Sequence, residues 1–244
     1  MKKFVFTFLA VLTLGVSISS AQDAFEVQGR IYKAALKNYD LQAATIALYN
    51  MAALKPERAD IQDSLALLYF AGERYPQAYL IGEEILKANP KRNDMLELVA
   101  VSKQNLGLIK EALTDYEKLY TIDKSIYYLY QIATLQYQLK RYGECVASID
   151  QIIANPESDK QKVNIRVQNG SQDISMKAAA LNVKGICAIE LNQDAAAIDN
   201  FNKALAISPE FVLAKGNLES VTRKQEKPAA KTPATSVKST TSPK

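Results

Sequence analysis

The chain has 244 residues, of which 48% are hydrophobic and 23% charged, a balance typical of a globular protein with a sizeable core rather than of a disordered or fibrous chain. The net charge of +4 is concentrated at the two ends, because residues 22–222 carry 22 basic and 25 acidic side chains. This mildly acidic middle disfavours a nucleic-acid partner, since phosphate binding needs clustered lysine and arginine on the folded surface.

Residues 1–21, MKKFVFTFLAVLTLGVSISSA, begin with two lysines and continue with an apolar run that ends in small residues at Ser19 and Ala21. This pattern predicts a signal peptide cleaved after Ala21. The run is shorter than the roughly 20 apolar residues that span a bilayer, so we expect no integral membrane segment after cleavage. We expect an exported protein, periplasmic or associated with the cell surface, in a bacterium of the Gram-negative type.

Five segments between residues 39 and 211 share a small residue followed by larger apolar residues about four and seven positions later, which is helical spacing. The small residues are Ala44, Ala78, Ala112, Cys145 and Ala197. They are 34, 34, 33 and 52 residues apart, so the last interval is one repeat plus an insertion. Prolines are expected to end four of these helices, because proline cannot continue the hydrogen-bond ladder. They are Pro56, Pro90, Pro156 and Pro209.

A second helical stretch precedes each of these helices. It contains a position, about twelve residues before the small residue named above, that is also small in every repeat except the first. The positions are Tyr32, Ala66, Ala100, Ala133 and Gly185. Small residues facing each other let two antiparallel helices approach closely. The sequence therefore predicts helix pairs, and because each pair cannot bury its apolar face alone, the pairs are expected to stack.

The period and this residue pattern resemble the tetratricopeptide repeat, most clearly in a set near the end of the chain: Gly185, Ala197, Phe201, Ala204 and Pro209. The resemblance covers residues 25 to about 211 and is weaker in the first repeat, where Tyr32 and Asn38 depart from the pattern. It implies an all-α solenoid, a right-handed superhelix of about five helix pairs. The repeat domain is predicted over residues 22–222, with repeats at 25–58, 59–92, 93–125, 126–159 and 178–211.

The first helix of the fourth repeat, SIYYLYQIATLQYQL at 125–139, contains four tyrosines. Helical spacing puts Tyr128 on the packing face and places a stripe of Tyr127, Tyr130, Thr134 and Tyr137 roughly opposite. The resemblance implies that first helices line a concave wall on which extended peptides or partner helices bind. The corresponding stripe positions are Lys33, Lys37, Asp63, Leu67, Phe70, Glu97, Val101, Gln104, Asn182, Ile186 and Ile189.

The predicted partner-binding residues on this wall are Tyr127, Tyr130, Thr134, Tyr137, Leu67, Phe70, Val101 and Gln104. Aromatic and aliphatic side chains with few charges are the composition of a protein-binding patch. The alternative is that the tyrosine rings pack against one another or against neighbouring first helices and expose little surface.

The insertion at 160–177 includes KVNIRVQNGSQDISMK, which has a period of two. Asn169-Gly170 is a preferred two-residue hairpin turn, because both positions need positive φ. We therefore predict a β-hairpin that either accepts a partner strand at its edge or only plugs or props the repeats. Pairing outward from that turn sets Arg166 opposite Asp173, Ile165 opposite Ile174 and Val163 opposite Met176.

The end of the chain is predicted to form a capping helix at 211–224 and a disordered basic tail at 225–244, rich in proline, threonine, serine and lysine. The apolar side of the capping helix is assigned to Phe211, Val212, Leu218 and Val221. Cys145 and Cys187 each lie in a helical apolar pattern. They are interpreted as buried thiols, with a disulfide bridge as the alternative in an oxidising compartment.

The sequence contains no histidine, and its two cysteines lack a metal-ligand spacing. It also lacks a glycine-rich phosphate loop and a G-x-S-x-G motif, so we expect no enzyme activity, metal or cofactor. The predicted function is a scaffold or adaptor that binds a protein or peptide on its concave surface in a bacterial cell-envelope assembly. The alternatives are a cell-wall or polysaccharide binder that stacks sugars on Tyr127, Tyr130 and Tyr137, and a self-associating structural subunit.

Overall fold

The computed structural model describes residues 22–226. The predicted signal peptide lies outside this range, as does the predicted tail except for its first two residues. Within the described range the chain forms eleven α-helices, one short 3-10 helix and one two-stranded antiparallel sheet. Packing divides the chain into two compact units, with the division between Arg141 and Tyr142. Unit 1 is described over residues 22–141 and unit 2 over residues 142–226.

Unit 1 is a succession of helices in which each helix from α2 onward packs against the next. The helices are α1 (22–37), α2 (Leu41–Leu54), α3 (Ala59–Ala71), α4 (Tyr75–Ala88), α5 (Asn93–Asn105), α6 (Ile109–Asp123) and α7 (Ile126–Gln138). The small positions predicted from the sequence are confirmed as points of close approach, because the alanines at these positions in α2 to α7 are fully buried. At Gly82 the approach is so close that an added Cβ would lie 2.6 Å from Cγ2 of Val99.

The link between the two helices of each repeat passes through a residue with left-handed backbone. In unit 1 these residues are Tyr39, Glu73, Gly107 and Lys140, and in unit 2 the residue is Asn192. The backbone N–H of the following residue closes the turn by donating to a carbonyl five residues earlier, as from Arg74 to Tyr69 at 2.8 Å, which is a Schellman motif. The first repeat therefore has the same turn as the others, although its sequence departs from the pattern.

The second helices end where the prolines predict. The helices α2 and α4 in unit 1 end two residues before Pro56 and Pro90. The helix α6 has no such proline and ends at Asp123, where the next residue, Lys124, takes a left-handed φ of 56°.

Unit 2 contains the insertion between its helices. Its elements are α8 (Tyr142–Ala154), a 3-10 helix (Pro156–Asp159), β1 (Lys162–Val167), β2 (Gly170–Ser175), α9 (Met176–Glu190), α10 (Asp194–Ile207) and α11 (Val212–Glu226). The core of α9 and α10 forms around Phe201, which is fully buried. Its ring lies so close to Gly185 that a Cβ added there would be 2.5 Å from Cε1 of Phe201.

The predicted hairpin is present, but its predicted register is wrong by two residues. Val163 pairs with Ile174, Ile165 with Gln172 and Arg166 with Ser171. The turn is formed by Gln168 and Asn169, while Gly170, with a φ of 135°, already belongs to β2. A shift of two residues keeps every side chain on its face, so Val163 and Ile174 remain buried. The predicted Arg166–Asp173 pair is replaced by Asn164, whose Nδ2 donates to Asp173 Oδ1 at 2.8 Å.

The hairpin is held to its own unit by hydrogen bonds at two places. The Gln172 side chain donates from Nε2 to the carbonyl of Glu210 at 2.9 Å and accepts at Oε1 from the N–H of Val212 at 3.0 Å. At the other end, Ser175 Oγ of β2 donates to the carbonyl of Ser158 in the 3-10 helix at 3.3 Å. The hairpin therefore links the 3-10 helix, α9 and the turn before α11.

The capping helix α11 packs on α9 and α10 through Ala214 and Val221, both buried. The assignment of Val212 to its apolar side is wrong, because Val212 is 51% exposed. It begins the helix, and its N–H donates to Oε1 of Gln172. Within residues 22–226, the helices are too short or too polar to cross a membrane.

Candidate functional site

The first helices of unit 1, α3, α5 and α7, carry the stripe predicted to bind a partner. On α3, Leu67 is 53% exposed, and Phe70, one turn further, is half-buried. The ring of Phe70 packs edge-on against Tyr75 of α4, with the ring centroids 6.0 Å apart. The stripe on α3 thus presents one open aliphatic side chain beside an aromatic ring whose position is fixed by its neighbour.

A cleft of about 310 Å³ opens one helical turn before Leu67, between α3, α4 and the link that leads into α5. Its apolar wall includes Ile81 and Ile85 of α4, and its charged groups are Asp63, Glu84 and Arg92. A cleft with an apolar wall and a few charged groups at its rim can accept a single aliphatic side chain of a partner.

The position of Arg92 in this cleft is fixed by two carboxylates. Its Nη1 lies 2.9 Å from Asp63 Oδ2 and its Nη2 lies 2.7 Å from Asp94 Oδ2. Hydrogen bonds to Asp94 and Asp63 raise the pKa of the Arg92 guanidinium, and the hydrogen bond from Arg92 lowers the pKa of Asp94. Glu84 adds a further negative charge at the rim, so the cleft is acidic on balance.

On α5, two of the three stripe positions are engaged inside unit 1. Tyr128 Oη donates to Glu97 Oε2 at 2.9 Å, and Tyr116 Oη donates to Gln104 Oε1 at 3.2 Å. Val101 is half-buried and packs against the core of α5 and α6. On this helix Val101 is the apolar position that remains partly open to a partner, whereas Gln104 also serves to position Tyr116.

On α7, the predicted outward orientation of the whole stripe is wrong at its centre, because Tyr130 is only 8% exposed. Tyr127, Thr134 and Tyr137 are half-buried. Tyr128, assigned to the packing face, is also half-buried, and its ring lies 5.5 Å from that of Tyr127. Seven of the thirteen residues of α7 are buried, so this helix is covered over a wider arc than the single apolar face that its periodicity indicates.

The tyrosines of this region are held as neutral phenols. Burial, with the charge of Glu97, raises the pKa of Tyr127. Burial and the hydrogen bond to Glu97 raise the pKa of Tyr128, and burial also raises that of Tyr116. At neutral pH these groups therefore donate hydrogen bonds, as Tyr128 does to Glu97, and carry no charge that would repel an apolar partner.

Of the three corresponding positions in unit 2, Asn182 is buried, whereas Ile186 and Ile189 are half-buried. Asn182 is 5% exposed, and its Oδ1 accepts from Nδ2 of Asn217 on α11 at 2.9 Å. Ile186 and Ile189 pack against the core of α9, α10 and α11. The repeat pattern does not distinguish these positions from those of unit 1. No local pattern marks the cleft at Arg92, because α3, α4 and the link before α5 form it together.

Searches of protein-family models and of curated proteins find no match to the chain. Solved structures are similar in fold. A tetratricopeptide repeat protein from Parabacteroides merdae ATCC 43184 has a TM-score of 0.65 at 16% identity, covering 84% of this chain and 74% of that chain. YrrB, described as a TPR protein with an unusual peptide-binding site, has a TM-score of 0.61 at 15% identity, covering 77% of this chain and 88% of its own.

A third solved structure, MamA 41-end from Desulfovibrio magneticus RS-1, has a TM-score of 0.59 at 12% identity and covers 78% of this chain and 98% of that chain. At such low identity these similarities concern the fold. Together with the 34-residue spacing of the buried small residues and left-handed turns, they show that the chain has the tetratricopeptide-repeat fold.

Proposed function

We propose that the chain is an exported, non-catalytic scaffold that binds a protein or peptide partner on the first helices of unit 1, in a bacterial cell-envelope assembly. The binding surface, called here the first-helix surface, consists of Leu67, Phe70, Val101 and Tyr127 together with the cleft at Arg92. The half-buried Thr134 and Tyr137 extend it along α7. Export is proposed from the sequence of residues 1–21.

The observation that carries this proposal is the exposed Leu67 beside the 310 Å³ cleft. An exposed leucine alone needs no explanation. Here Asp63 of the cleft, Leu67 and Phe70 lie three and four residues apart, so they lie on one face of α3. An open aliphatic side chain, a fixed aromatic ring and an adjoining cleft form a contact area on which a partner can anchor.

The charges of the cleft indicate the kind of segment that binds. Asp63 and Glu84 outnumber Arg92, whose charge is already shared between Asp63 and Asp94. The partner is therefore a segment that places an aliphatic side chain in the cleft and a basic side chain near Glu84. The description of YrrB as a peptide-binding protein supports a peptide on this fold.

The polysaccharide alternative depended on a platform of three rings, and the burial of Tyr130 removes the central one. Sugar stacking needs an accessible ring face, and Tyr127 and Tyr137 offer only part of one each. The protein partner is therefore the better-supported function for this surface.

The test is photo-crosslinking at two matched leucines of unit 1. A photoreactive residue replaces either Leu67 or Leu80, which is 61% exposed on α4 and does not line the cleft. In cells that produce the chain with residues 1–21, we expect discrete protein adducts from position 67 and none from position 80. Adding Val101→Lys should abolish the adducts by placing a charge on the same surface.

Other results would contradict the proposal. Equal adducts from both positions would show non-specific contact, and adducts with the chain itself would indicate self-association. Loss of cell-wall sedimentation in a Tyr127→Ala, Tyr137→Ala variant that retains its protein adducts would favour polysaccharide binding. Once the partner is identified, Leu67→Lys should weaken the Kd by about tenfold or more, as expected for an anchor residue, whereas Leu80→Lys should not.

A further inference from the structure

The two cysteines of the chain face each other inside unit 2. Cys145 lies on α8 and Cys187 on α9, and their sulfurs are 3.4 Å apart. Both side chains are completely buried, and the two helices pack side by side. The pair is therefore held in place by helix packing and not by a mobile loop.

The position of Cys145 in the repeat suggests that its thiol has a purpose other than packing. The equivalent positions in the other four repeats are Ala44, Ala78, Ala112 and Ala197, all fully buried. Alanine thus satisfies the close approach of helices at this position. In the repeat that has a cysteine instead, the next helix along the chain provides the second cysteine at contact distance.

We propose that Cys145 and Cys187 are a disulfide-forming pair that crosslinks α8 to α9 in an oxidising compartment. The sulfurs must approach from 3.4 Å to a bond length of about 2.0 Å, a change that side-chain rotation and a small helix shift provide. This proposal does not depend on the partner-binding function of unit 1, because its residues and its test lie in unit 2.

The oxidant is a disulfide, either a small molecule such as oxidised glutathione or the active-site disulfide of an oxidoreductase. The thiolate of Cys187 attacks one sulfur of the oxidant, which forms a mixed disulfide and releases one thiolate. The thiolate of Cys145 then attacks the Cys187 sulfur, the intramolecular S–S bond forms, and the second thiolate leaves. The two cysteine protons end on the released thiolates, and two electrons pass to the oxidant.

The reaction can equally begin at Cys145, with the same product. Burial of both sulfurs decides when the reaction occurs. The oxidant reaches the sulfurs only when α8 and α9 are apart, so the crosslink forms during folding and resists reduction afterwards.

The crosslink encloses the 3-10 helix and the hairpin, which lie between the two cysteines. Closing this segment covalently removes conformational freedom from the unfolded chain. We therefore expect oxidation to raise the midpoint of thermal unfolding of unit 2 by about 10 °C.

The test uses residues 22–244, unfolded under reducing conditions and refolded with reduced and oxidised glutathione. The refolded chain is then unfolded in denaturant with an alkylating reagent and its mass is measured. The expected product is lighter than the reduced chain by two hydrogen atoms and takes up no alkyl group. A product with two alkyl groups or with glutathione on both cysteines would overturn the proposal. Cys145→Ala and Cys187→Ala chains should each retain one thiol that is alkylated or carries one glutathione.

The second measurement is thermal unfolding with and without a reductant. The oxidised chain should lose the increase in midpoint when it is reduced in denaturant and refolded with the reductant present, and the Cys145→Ala, Cys187→Ala double variant should show no response to the same treatment. The comparison of the oxidised with the reduced natural chain remains valid even if the variants do not fold. An unchanged midpoint in the natural chain after reduction of a confirmed crosslink would show that the bond does not fit the folded geometry.

Discussion

The first helices of the repeats in unit 1 and α9, the first helix of the fifth repeat in unit 2, share the same sequence pattern. They differ in how far other elements cover them. In α3, five of thirteen residues are buried, whereas in α9 ten of fifteen are buried. The additional cover on α9 comes from α11 and from the hairpin, both of which contact it. The insertion and the capping helix thus cover more of α9 than of α3, which is why the proposed partner surface lies in unit 1.

The largest expected effect tests the core of unit 2. Phe201→Ala should destabilise the protein by about 3–5 kcal/mol, because it empties a fully buried ring position between α9 and α10. In unit 1, Phe70→Ala should cost about 1 kcal/mol, because the ring of Phe70 is only half-buried. Chemical denaturation combined with amide hydrogen exchange measures both losses, and equal losses would refute the contrast between the units.

A second prediction concerns the closest helix contact of unit 2. Gly185→Ala should cost about 1–3 kcal/mol, because its Cβ would overlap the Phe201 ring. Gly143→Ala on α8 is the matched control, since an added Cβ there meets nothing within 4 Å. If both substitutions leave the urea midpoint unchanged, the packing of α9 on α10 is looser than the structure shows.

Alkaline pH should weaken unit 1 through its buried phenols. Burial and the hydrogen bond with Tyr49 raise the pKa of Tyr69 to about 12. Because the pKa of Tyr69 is raised on folding, the neutral phenol stabilises the fold fully below the ordinary pKa of about 10. This contribution to the free energy of unfolding, up to about 2 kcal/mol, is lost as pH rises through the folded pKa. Denaturation midpoints at increasing pH measure this loss. Tyr69→Phe should reduce the slope, and an unchanged slope would contradict the assignment.

Much of the fold follows from local rules that act on single residues. The prolines end helices because they lack an N–H, and α8 and α10 of unit 2 end two residues before Pro156 and Pro209, as α2 and α4 do before theirs. The small residues are buried because only they allow close helix contact. These effects need no knowledge of distant neighbours, so the sequence is sufficient to predict the helix pairs and the hairpin.

The properties that the sequence did not reveal depend on neighbours. Periodicity indicates which residues share a face of α7, but not how much of the helix other parts cover, so it left open whether Tyr130 is exposed or buried. The register of the hairpin likewise depends on tertiary contacts, because Gln172 bonds to the backbone at Glu210 and Val212. The candidate cleft at Arg92 is formed by α3, α4 and the link before α5 together and therefore has no signature in any one segment.

The link from the hairpin to the turn before α11 can be tested through Gln172. Gln172→Ala removes a donor and an acceptor from the Glu210–Val212 turn and should cost about 1–2 kcal/mol. Hydrogen exchange of the hairpin amides should accelerate more than that of α10. Arg166→Ala, at an exposed position of the paired strand β1, serves as the control with little expected effect. Similar protection in both variants would show that the hairpin is held by its apolar face.

The smallest predicted effect compares the left-handed turns of the two units. Glu73 has a φ of 55° in unit 1 and Asn192 a φ of 57° in unit 2. Left-handed backbone costs an ordinary residue about 1–2 kcal/mol. Glycine, which the third repeat has at position 107, avoids this cost but loses more conformational entropy on folding, so its net advantage is smaller. Glu73→Gly should therefore stabilise by about 0.5 kcal/mol. Asn192→Gly should gain less stability, because asparagine tolerates this conformation better. Denaturation midpoints measure both changes. A larger gain at Asn192 would mean that side-chain contacts, and not backbone conformation, determine the stability of these turns.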